Sequence, residues 1–176
     1  SLMNSTMYAI ADTSTIYSPG LIFFKDLIRQ NLAKMIEMAG GVERLRPHCK
    51  THKTRELVRL ELEAGFQKHK VATLAEAEMV ASCGARDVFL SYPIVGPNGA
   101  RLVNLLRRYP DVRFAITADH PVSVERLSSL LKGEQLTVDV FLDVDVGQHR
   151  TGISPGAEAE ALYRQIHQSP GLNAAG

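Results

Sequence analysis

Apolar side chains recur at helical spacing between residues 24 and 39, where Ile28, Leu32, Met35, Ile36 and Ala39 share a face and Gly40-Gly41 supplies the stop. The same spacing predicts helices over 54–64 through Leu57, Val58, Leu60 and Leu62, and over 73–84, 100–109, 121–132 and 156–168. Thr73-Leu74-Ala75-Glu76 opens the second of these with the pattern of a capping box, in which a hydroxyl and a carboxylate satisfy orphan backbone donors. Short strand-compatible runs fall between the helices, at 46–52, 70–73, 87–92, 112–117 and 137–146. In the last of them Val138, Val140, Leu142, Val144 and Val146 alternate with Asp139, Phe141, Asp143 and Asp145, so one face is aliphatic and the other acidic.

Strand then helix, repeated about every 20–25 residues, calls for parallel strands joined by right-handed crossovers. No Gly-x-Gly-x-x-Gly follows the first strand, which favours a barrel over a doubly wound dinucleotide-binding sheet. The expected fold is an α/β chain with a partial (β/α)8 TIM-type barrel of about five to six units, lacking the rest of the barrel. Residues 1–24 read as an N-terminal extended segment and 25–176 as the N-terminal portion of the barrel domain, with a further strand beginning near Leu172. In a barrel the acidic face of 137–146 would point inward, bringing Asp143 and Asp145 to the C-terminal mouth; a solvated edge strand would show the same alternation.

Composition adds bounds. The 176 residues are 45% hydrophobic and 22% charged, in the range of globular proteins, and 20 basic side chains nearly balance 19 acidic ones. No apolar run approaches the ~20 residues that span a bilayer, and the start lacks a signal-peptide pattern. Ser1-Leu2 ahead of Met3 resembles an appended scar. Cys49 and Cys83 have neither disulfide-framework nor zinc spacing, so a cytoplasmic location is expected.

Charge is biased locally in one place. Between Arg44 and Arg55 there are five Lys or Arg and no acidic residue. If residues 46–52 are extended, His48, Lys50 and His52 lie on one face, with Pro47, Cys49 and Thr51 on the other. A lysine among cations and imidazoles suits Schiff-base chemistry, which needs a free amine and therefore burial or neighbouring positive charge. Lys53 is the rival amine, on the opposite parity. A solvated basic loop, or an anion- or nucleic-acid-binding patch, is the competing reading, and near-neutrality of the whole chain argues against a nucleic-acid footprint. Three imidazoles, His48, His52 and His149, lack matching carboxylates for a metal site.

Three ordered motifs carry a resemblance: Arg46-Pro47-His48-Cys49-Lys50-Thr51-His52-Lys53, Val71-Ala72-Thr73-Leu74-Ala75-Glu76-Ala77-Glu78, and Asp143-Val144-Asp145-Val146-Gly147-Gln148-His149-Arg150-Thr151-Gly152. Together they resemble the D-threonine aldolase and D-serine dehydratase-like family, fold type III pyridoxal phosphate enzymes with an alanine-racemase-like N-terminal barrel. The resemblance implies a lyase acting on D-β-hydroxy amino acids by retro-aldol cleavage or elimination of water, with Lys50 forming the internal aldimine with pyridoxal 5'-phosphate. It implies that Arg150 bonds the cofactor's phenolic oxygen, that His48 lies at the cofactor and that Thr54 faces its phosphate, although Thr54 is also placed to cap the following helix. Gln148 stands where the family often has methionine. The resemblance further implies a β-domain beyond this chain, a divalent metal whose ligands lie outside these residues, a homodimer at full length, and neither nucleic-acid nor membrane partners. A non-catalytic pyridoxal phosphate carrier on the same barrel is the alternative.

Overall fold

In a computed structural model that describes residues 5–176, five strands form one parallel sheet: β1 (Lys68–Val71), β2 (Asp87–Leu90), β3 (Arg113–Ala118), β4 (Val138–Leu142) and β5 (Leu172–Ala174). The expected scar Ser1-Leu2 lies outside the described residues. Six helices connect and precede the strands: α1 (Lys25–Ala39), α2 (Arg55–Glu63), α3 (Leu74–Ser82), α4 (Asn98–Arg108), α5 (Pro121–Glu134) and α6 (Ala157–Gln168). Spatial order follows chain order, β1-β2-β3-β4-β5, with no reversal of the kind that defines a doubly wound sheet. The fold is the partial barrel expected from the alternation of elements.

Strand parity explains where the core sits. Val71, Val88, Leu90, Phe114, Ile116, Val138, Val140 and Leu172 are buried and pack against Ala77, Val80, Leu102, Val124, Leu131, Leu162 and Ile166 of the helices. Each buried aliphatic side chain of this size is worth about 1.5–3 kcal/mol, so this apolar layer holds the helices on one face of the sheet. The opposite face presents Lys70, Phe89, Phe141 and Asp139, with the Phe89 and Phe141 rings 5.0 Å apart across the intervening β3. A smaller cluster of Leu32, Leu60 and Phe66 docks α1 onto α2. No helix among the described residues is long and apolar enough to cross a membrane.

Two expected strands differ. Residues 46–52 do not form a full strand: His48 makes a single parallel bridge to Lys70, and Cys49–Thr51 then tightens into a 3-10 turn. The cause is local, because the His48 imidazole accepts the Lys50 backbone N–H and draws the chain out of the extended form. The strand predicted over 137–146 ends at Leu142, after which Val144 bridges to Ile153 around an eight-residue excursion, 145–152. Asp143 and Asp145 therefore belong to a loop.

Candidate functional site

The turn after the bridge emerges at the C-terminal end of the sheet, since His48 pairs with Lys70 one residue before β1 ends. Its side chains part in three directions. Cys49 is fully buried with Sγ 3.8 Å from Glu76 Oε2; burial first, then the Glu76 and Glu61 charges, push its thiol up to about 12, which excludes a thiolate nucleophile. His52 turns inward toward Glu61 of α2. Lys50 is exposed and its amine makes no ion pair or side-chain hydrogen bond among the described residues. The shared face expected for His48, Lys50 and His52 is thus broken by the turn.

Lys53, the rival amine, is spoken for. Its Nζ lies 2.9 Å from the buried Glu76 Oε1, and that contact and charge raise its pKa, keeping it cationic. Glu76 also accepts the Ala72 N–H at 2.7 Å, while Thr73 Oγ1 accepts the Glu76 N–H at 3.1 Å. Only the hydroxyl half of the predicted capping box forms; the carboxylate reaches one residue further back and then to Lys53. Burial alone would raise the Glu76 carboxyl, but the Ala72 amide and Lys53 hold it below the usual carboxylate range.

His48 flanks Lys50. Its Nδ1 accepts the Lys50 amide N–H at 3.3 Å and stands 3.1 Å from the Lys70 carbonyl oxygen, to which it could donate only by giving up the first bond. Burial, then the Lys70 and Lys50 cations, lower its pKa, leaving a neutral imidazole at pH 7. Thr54 is the N-cap of α2 but its side chain makes no capping bond; Oγ1 lies 3.4 Å from His52 Nδ1 instead.

Arg150 sits exposed in the 145–152 loop, which leaves the same end of the sheet after β4, and its guanidinium has no ion pair among the described residues. Asp145 builds that loop: Oδ1 accepts the Gly147 and His149 N–H groups at 2.9 and 3.0 Å, and Oδ2 meets His149 Nδ1 at 2.8 Å. Those amide donors depress its pKa. Gly152, at φ +98°, closes the loop and donates its N–H to Asp119 Oδ2 at 3.1 Å. Asp145 is consequently a loop organiser rather than an acid directed into the mouth.

The basic run is also less basic in three dimensions than in sequence. Arg46 pairs with Asp87 at 2.5 Å, Arg113 bridges Asp87 and Asp139, and Asn173 donates to Asp139, a polar ladder from the first bridge to β5. Arg46 and Lys53, two of the five basic side chains of the run, are thus engaged with carboxylates. Among the described residues no group of three or more His, Cys, Asp or Glu is arranged to hold a metal.

Sequence reasoning missed Glu61 and His69. Glu61 shares the inward helical face of Leu57 and Val58, a carboxylate where the pattern calls for an aliphatic residue. His69, fully buried, holds a core-facing strand position between two lysines. Each mismatch between residue type and position was a usable signal.

The chain can be set beside known proteins. The sequence profile of the family described as "Alanine racemase, N-terminal domain" matches residues 25–176. A D-threonine aldolase of Arthrobacter sp. is 33% identical over 132 residues, which is 75% of this chain and 34% of that protein. A D-serine dehydratase of Dictyostelium discoideum is 29% identical over 157 residues, 82% of this chain and 38% of that protein. The crystal structure of D-threonine aldolase from Filomicrobium marinum superposes with a TM-score of 0.83 at 28% identity, covering 91% of this chain and 43% of the other. The chain spans well under half the length of these relatives.

Proposed function

Because the chain belongs to the alanine racemase N-terminal domain family, we propose that it is part of a pyridoxal-phosphate-dependent lyase acting on D-amino acids that bear a β-hydroxyl group. The observation that carries this reading is the division of labour between two neighbouring lysines. Lys53 is locked to Glu76, whereas Lys50 is exposed and has no ion pair among the described residues at the C-terminal end of the sheet, where barrel enzymes place their chemistry. Names of the relatives, an aldolase for D-threonine and a dehydratase for D-serine, support the substrate class.

The donor set fits the cofactor. A nucleophilic amine, a guanidinium with no ion pair among the described residues and a hydroxyl without a capping bond, from Lys50, Arg150 and Thr54, suit an aldehyde that also carries a phenolic oxygen and a phosphate. When bound, pyridoxal phosphate supplies an electron sink for the bonds at a substrate Cα. Lys50 anchors the aldehyde and moves a proton at its Nζ. Arg150 would donate to the phenolic oxygen, and neutral His48 would line the site beside Lys50. Lys50 and Arg150 are separated by four strand spacings, about 19 Å along a flat sheet, so they share a ligand only through the curl of a barrel wall.

Borohydride reduction of the full-length protein with pyridoxal phosphate, followed by peptide mapping, tests the assignment. An adduct on Lys50 that Lys50→Ala abolishes is expected, together with glycine and acetaldehyde from D-threonine or ammonia from D-serine. An adduct on Lys53, or none, overturns it. Cofactor on Lys50 with neither product is the outcome expected of a carrier and overturns the lyase assignment.

A further inference from the structure

Glu61 is an expensive residue for its place. It is 8% exposed, on the face of α2 turned to the sheet, and the groups around its carboxylate are two imidazoles: His69 Nε2 of β1 at 3.1 Å and His52 Nε2 at 3.6 Å. The His69 contact lacks the alignment of an ordinary hydrogen bond, the His52 contact exceeds hydrogen-bond length, and His69 Nδ1 has no hydrogen-bond partner among the described residues. A core that needed only stability would do as well or better with an aliphatic side chain here, since buried ionic groups seldom repay their desolvation. Burial would raise the Glu61 carboxyl, yet the two imidazoles hold it below the usual range, so the carboxylate is charged at neutral pH.

His52 connects this charge to the proposed site. Its Nδ1 accepts the Thr54 N–H at 3.1 Å, which leaves the ring proton on Nε2, the nitrogen that faces Glu61. Its own N–H, like that of Lys53, bonds the Cys49 carbonyl and closes the turn in which Lys50 sits. The ring is therefore tied on one side to the entrance of α2, through its backbone to the Lys50 turn, and on the other to a buried carboxylate that also touches β1.

We propose that His52, held against a Glu61 carboxylate that His69 meets from the other side, is a positioning residue that fixes the turn carrying Lys50. The inference rests on the assignment of Lys50 above, and it extends to residues outside the three motifs that carried the family resemblance. Charge on Glu61 keeps the Nε2–H tautomer of His52; that tautomer leaves Nδ1 free to accept from Thr54, and the turn is thereby held in one geometry. Loss of the charge frees the ring to adopt the other tautomer, which cannot accept the Thr54 N–H.

Amide hydrogen exchange and imidazole nitrogen NMR on the full-length, cofactor-free protein test this together with the borohydride assay. In Glu61→Gln, the amides of His52, Lys53 and Thr54 should exchange about tenfold faster while those of Val88 and Ile116 stay unchanged. His52 should lose its pure Nε2–H signature, and the trapping rate at Lys50 under saturating pyridoxal phosphate should fall about tenfold. If Glu61→Gln fails to fold, His52→Asn decides the matter: Asn preserves an acceptor near Thr54 but not the contact with Glu61, and the same losses at Lys50 are expected. An unaltered His52 tautomer, or exchange that quickens evenly throughout the sheet, overturns the proposal. Wild-type protein with no adduct at Lys50 refutes the cofactor assignment instead, and the exchange and tautomer data, which need no cofactor, still decide the positioning role.

Discussion

Gly152 shows how one residue can set the shape of a loop. A Cβ built there would lie 2.6 Å from the Asp145 nitrogen and 2.9 Å from the Val144 carbonyl carbon, both backbone atoms that cannot swing aside. Its φ of +98° is also poorly open to other residues. Gly152→Ala should therefore cost on the order of 1–3 kcal/mol in chemical denaturation. Gly147, at φ +127° with nothing within 4 Å of the added carbon, offers a control that carries only the backbone penalty. A loss at Gly152 no larger than at Gly147 would show that the close approach is relaxed in solution. Lys50 and Lys53 make the complementary point: their types were readable in the sequence, their difference was not. It arises from Glu76, 23 positions downstream of Lys53, whose carboxylate selects one amine and leaves the other.

At the level of elements, helices were legible because period, caps and stops agreed, as in Thr73 at the head of α3 and Gly40, in the left-handed conformation, at the tail of α1. The segment 46–52 misled for a definite reason. Alternation of side-chain type suits a strand, but a histidine side chain competing for a backbone amide two residues on is invisible to periodicity. The polar ladder across the sheet was equally hidden, since Asp87 and Asp139 find Arg46 and Arg113 only once the strands are in register. Burial favours protonation of Asp87, but the two guanidinium partners prevail and depress its folded-state pKa below the unfolded one. Its stabilising share is complete above the unfolded carboxyl value of about 3.9 and is lost as pH falls through the lower folded value. Asp87→Asn should cost about 1–2 kcal/mol at pH 7, discounted because Arg113 is half exposed, and should flatten the acid limb of the stability curve. Denaturant midpoints measured from pH 7 down to pH 2 check both parts; an acid limb as steep as wild type would remove Asp87 as its source.

For the whole molecule, the boundary expected near residue 24 makes a prediction of its own. Tyr17 is 92% and Leu21 77% exposed, and the described residues before α1 contribute none to either core cluster. Brief chymotrypsin digestion is expected to cut at Tyr17 or Leu21 before any bond between residues 25 and 168. First cleavage inside α2 or α3 would show that the compact unit is drawn wrongly. Fold class was legible here because crossover rules leave few topologies for alternating strands and helices. The buried Glu61 group was not, because it depends on which face α2 turns to β1.

Spatial order that repeats chain order also governs how this sheet can be made. Every strand from β2 onward has its neighbour already synthesised when it leaves the ribosome, and the intervening helix covers the joint before the next unit arrives. The wall can thus be laid course by course from the amino end, each of β2 to β5 joining a strand already made.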